Sequence, residues 1–161
     1  MSAARYDERS AIHEAGHAVV AWALGRDVVT IHVCECGNGF VHTKPQTADD
    51  DGLVVRMAGV IAEMTKYGPD AVREMSDNDR FGFEGMSEAE RERIASRAAD
   101  LVAATWDTVE TLAAALVERG TLHFDVKAES RRRPRPANRR RRTAPVSARS
   151  RPRTSVRRGG R

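Results

Sequence analysis

Long apolar runs are missing from this 161-residue chain. Nothing approaches the roughly 20 consecutive apolar residues that a membrane-spanning helix needs. The opening stretch, MSAARYDERS, has no apolar region of the kind a secretory signal requires. Aromatic residues make up only 5% and hydrophobic residues 40%. That excludes an aromatic-packed β-sandwich and points to a modest core of aliphatic and alanine-rich helices. Cysteine is nearly absent: Cys34 and Cys36 are one residue apart, too close to staple a fold by pairing with each other. The expectation is a soluble, cytoplasmic protein with no membrane segment.

Charge is distributed unevenly. Residues 131–161 hold 14 of the 27 basic residues, all arginine, and no acidic residue. The preceding 130 residues hold 13 basic against 23 acidic residues, a balance of −10. An acidic body, residues 1–129, is therefore expected to carry a disordered basic tail, residues 130–161, because the tail has too little apolar surface to offset its ordering entropy. Such a tail could neutralise nucleic-acid phosphates without sequence preference, although it lacks the interleaved aromatics that stack on bases.

The body reads as mainly α with one small β-hairpin. Asp7 is a suitable N-cap for a helix over residues 8–24, stopped by Gly25. Ile12, Gly16, Val19 and Ala23 share one face of it, the expected core face. The β-branched run Val28 to Val33, the turn Gly37-Asn38-Gly39 and the segment Phe40 to Thr43 predict the hairpin. Residues 45–51 read as a polar loop. A second helix is expected over residues 53–67, ended by Gly68, and a glycine-punctuated connection over residues 68–85. Ser87 with Glu90 forms a capping-box pattern. Apolar spacing through Ile94, Ala98, Leu101, Thr105, Val109, Leu112 and Leu116 then continues to Gly120, as one helix or as two broken near Thr105 to Thr108.

The first helix carries His13-Glu14-Ala15-Gly16-His17, an H-E-x-x-H pattern. Spacing of i, i+4 places both imidazoles on one side, one turn apart, where they can share an ion. Neutral imidazole nitrogens suit Zn2+, and a catalytic zinc takes three protein ligands and leaves one position open for water. Glu14, beside His17 on the helical wheel, is placed to activate that zinc-bound water as general base. Gly16 leaves room for close helix packing. By contrast, Cys34 and Cys36 read as turn residues near the hairpin tip, and His32 and His42 as strand residues rather than ligands. Trp22 and Trp106 read as packing residues.

The stretch His13 to Val20, the β segment after it, and the later Ala58-Gly59-Val60-Ile61-Ala62-Glu63 resemble the peptidase domain of FtsH-type (AAA-protease) zinc peptidases. A loop ending in Asn78-Asp79 and a closing segment from Val109 extend the likeness over roughly residues 8–125. The resemblance implies a zincin-like helical metallopeptidase domain with His13, His17 and Asp79 as zinc ligands and Glu14 as catalytic base. Asp77 is a rival for the third position. This chain departs from the family after Asp79, reading Arg80-Phe81-Gly82-Phe83-Glu84-Gly85 where an alanine-rich helix usually follows. No G-x-x-x-x-G-K-[ST] phosphate loop is present. The resemblance therefore implies a free-standing, ATP-independent zinc metalloendopeptidase acting on peptides or unfolded proteins, with the ring assembly of its relatives as a further implication. The alternative expectation is a catalytically inactive interaction protein, tethered by the arginine tail to nucleic acid or an acidic partner.

Overall fold

Asp7 begins the first helix in the computed structural model, which describes residues 6–44, 49–71 and 75–125. Its side chain accepts a hydrogen bond from the Ser10 amide at 2.9 Å, which satisfies one of the donors left free at a helix start. Helix α1 runs Glu8–Ala23, and Gly25 ends it with a φ of 81° that an L side chain would strain to adopt. Strands β1 (Asp27–Val33) and β2 (Gly39–Lys44) form the expected antiparallel hairpin, with Ile31 opposite Val41 and His32 opposite Phe40. Helix α2 (Asp50–Tyr67), a 3-10 turn (Pro69–Ala71) and the short helix α3 (Asp77–Arg80) follow. Helices α4 (Glu88–Ala104) and α5 (Trp106–Arg119) then lead to a last strand, β3 (Thr121–His123). The protein is mainly helical with one small sheet.

Helix α1 is the centre of the molecule. It packs against α2, α5 and the sheet, so it is buried nearly all round. Ala11, Ala15, Ala18, Val20 and Ala21 are fully buried, whereas Ala23, expected on the core face, is exposed. The single-stripe rule assumes one buried side, and α1 has three. Alanine suits such a helix because it fills little volume between close neighbours. Closest of all is the crossing with α2. A Cβ on Gly16 would lie 2.7 Å from the Ala62 Cβ and 2.8 Å from the Ala58 carbonyl oxygen.

The structure differs from the sequence expectation in four further places. The sheet has three strands in the order β2-β1-β3, not a lone hairpin. Gly120, with φ 69°, turns the chain so that Leu122 pairs with Ile31. The segment likened to a closing helix through Leu122 therefore stops at Arg119. Three residues are too few for an alternating pattern to show. Helix α2 begins at Asp50, inside the presumed loop, because Asp49 caps it by accepting from the Gly52 amide at 2.8 Å. Asp50 and Asp51 then sit in its first turn, where the helix dipole favours negative charge. Cys34 and Cys36 are bonded to each other at the hairpin tip; the bond spans only that turn and ties no two elements together.

The α4–α5 region, left open between one helix and two, breaks at Thr105 (φ −121°, ψ 16°). The capping box is formed, with the Ser87 amide donating to Glu90 at 2.9 Å and the Glu90 amide donating to Ser87 Oγ at 3.3 Å. Ile94, Ala98, Val109 and Leu116 are buried as the spacing requires. Among the described residues no helix is long and apolar enough to cross a membrane. The 129/130 boundary, the basic tail and most of the expected polar loop lie outside the described residues.

Gly16→Val tests the tight crossing. Forcing an overpacked side chain against Ala58 and Ala62 should cost about 1–3 kcal/mol, seen as a lower urea midpoint with an unchanged slope.

Candidate metal centre

His13 and His17 face α2 from one side of α1, and their Nε2 atoms lie 2.9 Å apart. The carboxylate of Asp79, from α3, closes a triangle with them. Its Oδ2 is 3.3 Å from His13 Nε2 and its Oδ1 is 3.2 Å from His17 Nε2. Bonds of about 2.0–2.1 Å in a tetrahedral shell put ligand atoms ~3.3 Å apart, so the spacing fits a single small ion. One ligand atom from each residue lies within 4.8 Å of the others. His13, His17 and Asp79, named from the sequence, are thus brought together, and the group could hold a metal ion. Asp77, the rival, is exposed and stands outside the group.

The far side of each ring decides what the near side can do. His17 Nδ1 lies 2.7 Å from the Val55 carbonyl oxygen, which can only accept, so Nδ1 carries the proton. His13 Nδ1 lies 2.8 Å from Glu63 Oε1. Glu63 is held below the usual carboxylate range: burial alone would raise it, but hydrogen bonds from His13 and Arg9 outweigh that. His13 Nδ1 is therefore also the donor. With both rings neutral, each Nε2 presents a lone pair to the other and to Asp79. Three acceptors then converge with no donor among them, and positive charge is required at their centre.

The titration of the site expresses the same demand. Burial would lower the His13 pKa, but hydrogen bonds to Asp79 and Glu63 and the nearby carboxylate charges raise it to about 9. Burial would raise Asp79, yet its pairing with the imidazoles of His13 and His17 and a hydrogen bond from Ser76 hold it far below the usual carboxylate range. Without an ion, a proton on His13 supplies the charge. A metal ion would supply it instead, with the Nε2 lone pairs and the carboxylate as its ligands.

Helix α2 contributes more than its sequence announced. Val55, Gly59 and Glu63 recur every four residues and form one stripe facing the imidazoles. The Val55 carbonyl holds His17, and Glu63 holds His13 while Arg9 Nε donates to its other oxygen at 2.6 Å. A Cβ on Gly59 would lie 2.5 Å from His17 Nε2 and 2.6 Å from His13 Nε2, so only glycine clears the space. No local spacing rule assigns these three a role. The available signal is a glutamate inside the apolar run from Met57 to Met64, four residues after a glycine.

Glu14 is buried, and it lines the same cleft as the triad. Burial raises its carboxyl pKa, against the opposing charges of His17 and His13. The start of β2 presses on it, since a Cβ at Gly39 would meet Glu14 Cγ at 2.6 Å. The cleft is about 580 Å³, with residues 39–43 of β2 along one side and Val55 and Arg56 of α2 along the other. His32 lies on the sheet with Nδ1 2.8 Å from Thr121 Oγ1, and His42 borders the cleft; neither belongs to the metal-ligand group. Trp22 packs edge-on against Phe124, and Trp106 packs against the core.

Replacing Asp79 with alanine should abolish tight uptake of a divalent ion, while Asp77→Ala leaves it unchanged, as read by metal analysis after dialysis. Gly59→Ala should also lose the ion although it removes no ligand. Alanine is the better helix former by about 1 kcal/mol, so general loss of helix stability would not account for that result.

No family model matches the chain, and no curated protein matches it.

Proposed function

We propose that this protein is a zinc-dependent metallopeptidase-like enzyme with a zincin-like domain resembling the FtsH-type peptidases, working as a single chain without ATP. The observation that carries the reading is the triangle of His13 Nε2, His17 Nε2 and Asp79 carboxylate oxygens, with edges of 2.9–3.3 Å and buried Glu14 beside it in one cleft. Two imidazoles and one carboxylate form a ligand set that suits zinc and leaves a position open. When bound, zinc would polarise the scissile carbonyl and make the attacking water more acidic.

The chain's own groups supply the rest. Glu14 takes the proton from the attacking water and passes it to the leaving amine, a role suited to a carboxylate whose proton affinity burial has raised. Val55 and Glu63 hold each ring by its Nδ1, so that both Nε2 atoms would be turned toward a bound metal. Gly39, lacking a side chain, lets β2 border the reacting atoms closely. Peptides and unfolded segments are the proposed substrates, lying in the cleft of about 580 Å³ alongside β2.

The full-length protein should carry about one zinc per chain. Glu14→Gln should keep the metal yet lose peptide hydrolysis by roughly 10²–10⁴-fold, measured on a quenched fluorescent peptide pool. Metal content that survives replacement of both His13 and His17 would end this reading.

A further inference from the structure

Asp79 stands on the least supported element of the fold. Helix α3 has four residues, none of them buried. Met75 before it packs against the core, and Phe83 after it is buried. Between these anchors, among the described residues, the polar contacts of α3 with the rest of the fold are to His13, His17 and Arg56. Ser76 does orient the Asp79 carboxylate, donating to Oδ2 at 2.6 Å. That bond is local to the segment and cannot set where the segment sits.

Arg56 can. It projects from α2 one turn before Gly59, and its Nη1 donates to the Asn78 carbonyl oxygen. Its guanidinium also lies 5.2 Å from the centre of the Phe81 ring, in cation–π range. One side chain thus grips α3 on both sides of Asp79. Phe81 is 58% exposed, and a large aromatic so placed gains little from burial. Its contact with Arg56 gives it a purpose. Phe81 is also part of the stretch where the sequence leaves the FtsH-type pattern, so the departure brings its own means of placing the third ligand.

We propose that Arg56 is a positioning residue, a latch that docks α3 on α2 and thereby presents Asp79 to the two imidazoles. The inference rests on the metal-centre reading above. It assigns to Arg56, which touches no ligand atom, control over how tightly the ion is held. A planar guanidinium suits the task because it can donate along its edge to the carbonyl while its face meets the ring.

The test is zinc affinity of the full-length chain, measured by competition with a chromophoric chelator. Arg56→Ala should weaken binding roughly 10–100-fold, the usual effect of removing a group that orients a metal ligand. Phe81→Ala should weaken it in the same direction. Arg56→Lys, which keeps a cationic donor for the Asn78 carbonyl, should recover part of the loss. In an Asp79→Ala background, Arg56→Ala should change affinity no further, because the residue acts through Asp79 alone. The urea midpoint of the metal-free protein should stay unchanged in Arg56→Ala. Equal affinity of wild type and Arg56→Ala, additive effects in the double variant, or a fall in the metal-free midpoint that accounts for the whole loss would each overturn the latch. Wild-type protein that takes up no zinc would instead overturn the metal-centre reading itself.

Discussion

Two imidazole Nε2 atoms and a carboxylate meet in a confined space, and with both rings neutral nothing among them donates a hydrogen bond. That confrontation governs the centre of the molecule. Each ring is tied at Nδ1 to an acceptor on α2, the Val55 carbonyl or the Glu63 carboxylate, and so turns its Nε2 inward. The arrangement is unfavourable unless a cation occupies the middle. A proton can fill that part, which is why His13 holds one so firmly, and a divalent ion can fill it with all three groups as ligands. Buried groups of this kind are costly when partly satisfied, so the fold around them has to be exacting.

Much of that exactness comes from missing side chains. Gly16 lets α1 and α2 approach until Ala58 and Ala62 touch its backbone, and Gly59 leaves the volume above the Nε2 atoms empty. Gly39 does the same for β2 against Glu14. Interiors pack at crystal-like density, so one methyl group at any of these points would have to displace an imidazole, Glu14 or a helix. The alanine-rich surface of α1 serves the same end. It allows a helix buried on three sides to carry two histidines and a glutamate into the middle of the protein without a large aliphatic core around them.

The third ligand is held differently. His13 and His17 are set by helix geometry, whereas Asp79 is delivered by a short exposed helix that the body grips at Met75, Arg56 and Phe83. A site of this build divides its candidate ligands into a pair fixed on one helix and a docked third. Affinity for an ion held there would then depend on the docking surface as well as on the three groups themselves.

Local rules made much of this legible from the chain alone. The i, i+4 histidines, the adjacent Glu14, the Asp7 cap, the Ser87–Glu90 capping box and the glycine stops at Gly25 and Gly68 all involve residues within one or two helical turns, where backbone geometry dictates proximity. The order of helices and hairpin followed from the same short-range periodicity. The resemblance placed Asp79 at the site. That Asp79 and not Asp77 stands beside the imidazoles is visible only in the fold, because Asp79 lies 66 residues from His13 along the chain and no spacing rule reaches so far. The third strand, the burial of α1 on three sides, the early start of α2 and the Val55–Gly59–Glu63 stripe also required tertiary structure. Each depends on which surfaces meet, and a single sequence records what each surface is made of but not what it faces.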